Sequence, residues 1–185
     1  MDINTIFGLP AHPLLVHVPV VLIPLAFVGS LLLLKPSWRR MYAIPVAVIA
    51  VVGAGGVFLA AKSGETLEER VKESNLVDDH KVAGENAEPF VAVFAILAVG
   101  VAVADQVQRR QGDEPADGAK ALIIKAVPVL TVLTVLSGAV ASYMVYEAGH
   151  SGAKATWTGT KLTGGEGGLG ALVPDTVVLP GSGGA

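Results

Sequence analysis

The chain has 185 residues, no cysteine, 16 Asp+Glu against 13 Lys+Arg, and 52% apolar residues of which few are aromatic. Without cysteine it has no disulfides, thiolate metal sites, Cys-ligated iron–sulfur clusters, covalently attached haem or Cys nucleophile. The net charge of −3, without a basic stripe, speaks against a nucleic-acid partner. Charge placement is more telling still. Residues 3–34, 41–61, 89–104 and 126–146 contain no Asp, Glu, Lys or Arg. A water-soluble domain interleaves charge every turn or two, whereas uncharged apolar runs of ~20 residues are long enough as helices to cross a hydrocarbon core of ~30 Å.

Met1–Leu15 carries no Lys or Arg ahead of its apolar run, so the first helix is expected to be retained and not cleaved as a signal. Span one is expected at about 14–34, followed by the basic and aromatic cluster Lys35, Trp38, Arg39 and Arg40. Its prolines Pro13 and Pro19 fall in the first turns, and Pro24 is expected to kink it. Span two, about 42–61, carries Gly53, Gly55, Gly56 and Ala60, a small-residue patch that should face another helix.

Lys62–Glu88 is a polar, net acidic stretch rich in helix formers. Span three, 89–105, is short: Pro89–Ala104 gives only ~24 Å of uncharged helix at ~1.5 Å per residue, so the helix should extend back toward Asp78 and include His80. Gln106–Lys120, with Asp113-Glu114-Pro115 and Asp117-Gly118, reads as a loop. Span four is expected at 122–146, with Tyr143 and Tyr146 at one interface. On this span Thr131, Thr134 and Ser137 share a face with Gly138, and bonding to the preceding turn is their expected role.

Two parts follow: a four-transmembrane-helix domain over 1–158 and an extended or disordered glycine-rich tail over 159–185. Within the tail, Leu172–Leu179 could pair as a strand. Gly165-x-Gly167-x-x-Gly170 lacks the strand and helix that a dinucleotide site requires. The fold expected is all-α, an up-down-up-down membrane bundle with both termini on one side. The arginine pairs set against the ends of spans one and three are expected to place those ends in the cytoplasm, and the termini outside. Apart from Asp105 and Lys125 at their ends, the spans carry no charge, which weighs against a transporter or channel.

The four histidines, His12, His17, His80 and His150, all fall on the membrane face that carries the termini. Imidazole binds haem iron, copper and zinc, and helix bundles build such sites from facing helices. Haem b needs two histidines on different helices and an apolar pocket, which Gly53, Gly55, Gly56 and Gly138 could open. His12 and His17 are five residues apart, a rotation of ~140°, and so should not ligate one iron together. The expected iron ligands are His17, facing the bundle, and His80, with His150 and His12 as the other candidates. Asp78 and Asp79 could orient the imidazole of His80. A solvent-open zinc or copper site built from three or four of the histidines is the alternative. The expected function is electron transfer or redox sensing by a haem protein. Against it stands a non-redox accessory subunit, packed by its small-residue faces onto a larger respiratory complex. The chain carries no motif of an enzyme acting alone.

Leu9-Pro10-Ala11-His12-Pro13-Leu14-Leu15-Val16-His17-Val18-Pro19 resembles the opening signature of bacterial four-helix membrane proteins catalogued as domain of unknown function 2231. Ser63-Gly64 after span two, Asp79-His80-Lys81-Val82-Ala83-Gly84 before span three and Ala148-Gly149-His150-Ser151-Gly152-Ala153 after span four continue it, over roughly residues 8–158. Some such proteins are fused to Rieske-type iron–sulfur domains. The resemblance thus implies a lipid bilayer setting and a place near a respiratory or Rieske-type redox complex.

Overall fold

The computed structural model describes residues 5–6, 9–68, 71, 74–111 and 117–158. A two-residue antiparallel bridge joins β1 (Thr5–Ile6) to β2 (Leu9–Pro10) and leads into the helices α1 (His12–Leu15), α2 (His17–Leu32), α3 (Pro36–Glu68), α4 (Asn75–Gln111) and α5 (Gly118–Trp157). Four helical stretches, with α1 and α2 counted as one, are long and apolar enough to cross a membrane.

The helices outrun their apolar segments. α3 continues about two turns past Ala61, and α4 begins at Asn75, so His80 lies on the helix that goes on to cross. Ser74 starts α4 by accepting from the Val77 N–H at 3.3 Å, and Arg109 and Arg110 close it where the helix dipole favours cations. The expected loop Gln106–Lys120 is accordingly shorter, because α4 reaches Gln111 and α5 opens at Gly118. Gly118 has φ +56, a left-handed turn into the helix that a side chain would oppose. Span one breaks at Val16, since Pro19 has no N–H to offer the carbonyl of Leu15, and it ends at Leu32 instead of Leu34. The tail, with its candidate strand and glycine motif, lies outside the described residues.

Contacts run in a ring, α2 to α3 to α4 to α5 and back to α2, which makes an all-α up-down-up-down bundle. Its interior is small: Ala26, Ala43, Ala50, Ala98 and Ala141 are buried around Ile23 and Phe94, while Val48, Phe58, Ile96, Leu122 and Leu136 point outward. Water would reverse that order. In a bilayer lipid solvates the large apolar side chains and small residues let helices approach. The glycines show where. A Cβ on Gly53 would lie 2.7 Å from Ile23, one on Gly56 2.7 Å from Val18, and one on Gly138 2.7 Å from the Phe94 ring. The small-residue patch of span two therefore meets α2 within the same chain. Thr131 and Thr134 bond back to Val127 O and Leu130 O, as residues of a helix interior do.

The buried faces repeat. Along α2 and the turn after it, Pro19, Ile23, Ala26, Ser30 and Leu33 are buried; a shift of 68 residues carries them onto Ala87, Val91, Phe94, Ala98 and Val101 of α4, all buried. Along α3, Arg39, Ala43, Val46, Ala50 and Gly53 are buried; a shift of 88 residues carries them onto Val127, Thr131, Thr134, Gly138 and Ala141 of α5, again all buried. The bundle is thus two helical hairpins with one burial register, and its cyclic order fits a twofold axis along its length.

Two charged groups, Asp105 and Arg39, enter the interior, contrary to the expectation of uncharged spans. Asp105 of α4, with its side chain 3% exposed, accepts from Arg39 Nε of α3 at 3.3 Å and from Arg109 Nε at 2.7 Å. Arg109 also donates to the Arg40 carbonyl, tying α4 back to α3.

Candidate functional site

The same two shifts that superpose the buried faces carry His12 onto His80 and Ala60-x-x-Ser63-Gly64 onto Ala148-x-x-Ser151-Gly152. These residues meet at the end of the bundle opposite Asp105. His12 donates from Nδ1–H to Ala60 O at 2.8 Å, with Ser63 Oγ at 3.4 Å. His80 donates from Nδ1–H to Ala148 O at 3.0 Å, with Ser151 Oγ at 3.2 Å. Each serine hydroxyl donates to the carbonyl that its histidine uses, Ser63 to Ala60 O and Ser151 to Ala148 O, both at 2.9 Å. Each glycine makes room for an imidazole: a Cβ on Gly64 would lie 3.1 Å from the His12 ring, and one on Gly152 2.9 Å from His80 Cε1. One cradle is therefore built twice from an Ala-x-x-Ser-Gly turn of helix.

The two cradled rings face each other across the bundle, with centroids 5.8 Å apart and planes at 70°. A carbonyl oxygen only accepts, so both Nδ1 atoms carry a proton, and in the neutral ring Nε2 is the nitrogen that keeps the lone pair. His80 lies ahead of the apolar crossing, and its pKa is held below the ordinary imidazole value by burial first and by His12 second, against a smaller opposite effect of its bond to Ala148. The pair thus offers two Nε2 donors on separate helices, free of any partner among the described residues.

His17 does not join them. It is exposed, and its Nδ1 donates to Pro13 O of its own helix turn at 2.7 Å. The expected inward position of His17 is taken by His12, because the break at Val16 and the five-residue spacing turn His17 away while His12 reaches α3. His150 is likewise exposed, stacked on Tyr146 at 5.8 Å and 8°. Neither residue has a histidine partner under the repeat, which places Glu85 opposite His17 and Lys62 opposite His150. Asp78 and Asp79 are exposed and the Ala148 carbonyl orients His80 in their place. An ion pair between Lys81 and Glu68 at 3.0 Å fastens α4 to α3 on this face.

Among the described residues no group of three or more His, Asp or Glu could hold a metal, so a site here has two protein donors. With metal–nitrogen bonds of ~2.0–2.1 Å, two imidazoles sharing one ion have centroids from about 5.2 Å apart at a tetrahedral angle to about 6.3 Å in line. The observed 5.8 Å lies inside that interval. Haem fits less well. Gly53, Gly56 and Gly138, expected to open its pocket, are filled by Ile23, Val18 and Phe94, and Gly55 faces outward with nothing within 4 Å.

The sequence signal of this pair is Ala-x-x-Ser-Gly, which occurs twice, once in each hairpin, each copy holding one of the two inward histidines. No curated protein and no solved structure matches the chain. The family model described as predicted membrane protein (DUF2231) matches residues 8–162, a stretch that contains both histidines and both cradles, and the chain belongs to that family.

Proposed function

We propose that this membrane protein binds one small redox-active metal ion, copper foremost, between His12 and His80, and that it carries or senses electrons at that membrane face. The observation that carries the reading is the doubled cradle: two imidazoles on separate helices, each with Nδ1–H fixed on a backbone carbonyl and Nε2 left bare, at a spacing that one ion bridges. Monovalent copper is satisfied by two nitrogen donors, whereas zinc takes three or four protein or water ligands. Bound copper would supply a one-electron couple. The chain's part is to aim both donors, fix their tautomer through the Ala60 and Ala148 carbonyls, and limit ring rotation with Gly64 and Gly152 packed against them.

Purified protein titrated anaerobically with Cu(I) against a chelator is expected to bind one equivalent. His12→Ala or His80→Ala should each weaken binding at least tenfold, and His17→Ala or His150→Ala should leave it unchanged. Loss on His17→Ala with His12→Ala silent would overturn the assignment. A Soret band in protein from haem-supplemented cells, lost on His80→Ala, would restore haem iron as the occupant. Protein without copper, iron or haem would leave the accessory-subunit reading.

The arginine-bearing end is read as cytoplasmic in a bacterial inner membrane, with the histidine pair and both termini outside. The absence of native cysteine makes this measurable. Single cysteines at the exposed positions Ser74 and Lys154 are expected to react with an impermeant thiol reagent on intact cells, and one at Lys120 is not. The reverse pattern would invert the orientation.

A further inference from the structure

At the end of the bundle away from the histidines, a groove of about 510 Å³ opens between α3 and α4 on the lipid-facing side. Its walls are apolar from Ile44 to Val52 on α3 and through Val99 and Val103 on α4, and it ends at Gln106 and Arg110. Nine residues of α3 and twelve of α4 cover ~12–17 Å of helix at ~1.5 Å per residue, which is about half of a ~30 Å hydrocarbon core. The groove is one leaflet deep. A partner helix crossing the membrane would need a longer seat, and an acyl chain of one leaflet does not.

The polar end decides what that chain belongs to. Arg39 and Arg109 are engaged by Asp105. Arg110 at the groove's end has no acidic partner among the described residues, and neither has Arg40, one helical turn before Ile44 on the other wall. Two unneutralised guanidiniums thus flank the level at which the phosphates of that leaflet lie. Basic pockets between transmembrane helices bind anionic headgroups for this reason. We propose that the α3–α4 groove is a site for one anionic phospholipid, with an acyl chain along Ile44–Val52 and the phosphate between Arg40 and Arg110. This site is independent of the metal reading.

The test uses the full chain in mild detergent, offered phosphatidylglycerol and phosphatidylcholine with identical chains, with retained lipid counted by native mass spectrometry. Wild type is expected to keep one phosphatidylglycerol in preference to phosphatidylcholine. Each of Arg40→Gln and Arg110→Gln should reduce that preference about fivefold, with helix content and melting temperature preserved. Val103→Trp, which fills the groove, should release both lipids with the arginines intact. Equal retention of the two lipids by wild type, or unchanged preference in the folded double glutamine variant, would overturn the proposal. So would tight binding of inorganic phosphate with no lipid retained, which would make this a free-anion site.

Discussion

Asp105→Ala is expected to be the most damaging single substitution in the bundle. Asp105 is buried between Arg39 of α3, also buried, and Arg109 of its own helix. Removing it leaves the Arg39 guanidinium inside, without a counter-charge and without an acceptor for its Nε–H. Deleting one partner of a buried pair costs about 3–5 kcal/mol, while the half-exposed Arg109 loses less because water reaches it. The measurement is a detergent or urea melt of the purified protein followed by helical signal. Arg39→Met with Asp105→Leu should recover most of the loss, because an apolar pair needs no desolvation compensation. If Asp105→Ala melts within about 0.5 kcal/mol of wild type, a range ordinary for surface sites, Arg39 reaches water and the buried network is not there.

The second large effect concerns three glycines that look alike in the sequence. A Cβ at Gly138 would lie 2.7 Å from Phe94 Cε2 and 3.2 Å from Phe27, against a fully buried ring held on both sides. Gly138→Ala is therefore expected to lose about 1–3 kcal/mol by overpacking. At Gly53 the nearest atom is Ile23 Cδ1, also at 2.7 Å, but it is the end of a flexible chain. Gly53→Ala should cost less, because one rotamer change relieves it. At Gly55 nothing lies within 4 Å, and alanine there should gain up to about 1 kcal/mol from helix propensity. The expected order of melting temperatures is Gly55→Ala, then Gly53→Ala, then Gly138→Ala. Three indistinguishable melts would contradict the helix rotations on which both hairpin registers rest.

Those rotations also mark where reading the chain alone stops. The four crossings were legible, because transfer to a bilayer sums over a local run of residues: 41–61 or 126–146 is apolar whatever its neighbours do. For the same reason the helical extension of α4 back through His80 was legible, since Pro89–Ala104 by itself is too short to span. The doubled Ala-x-x-Ser-Gly was present in the letters as well. Its meaning depended on two shifts, 68 and 88 residues, that differ chiefly because α4 and α5 run farther toward their connection than α2 and α3 do, so no single internal period reveals it.

Which histidines meet was a tertiary matter. His17 looked better placed than His12 because it sits deeper in the apolar run, but a side chain's direction is set by helix phase, and Val16 interrupts that phase. His12 reaches inward because Ala60 O and Gly64 on α3 receive it, forty-eight residues along the chain from its own position. Asp105 carried the same ambiguity: at the edge of an apolar run a carboxylate can face water or turn inside, and only Arg39 arriving from α3 makes burial tolerable. Glycines in the middle of a span can open a pocket or admit a neighbour, and here Ile23, Val18 and Phe94 fill the space. Hydropathy along the chain thus determined what crosses the membrane. The pairing of one helix face with another decided which polar groups are brought together, because contact depends on rotation and depth of two segments at once.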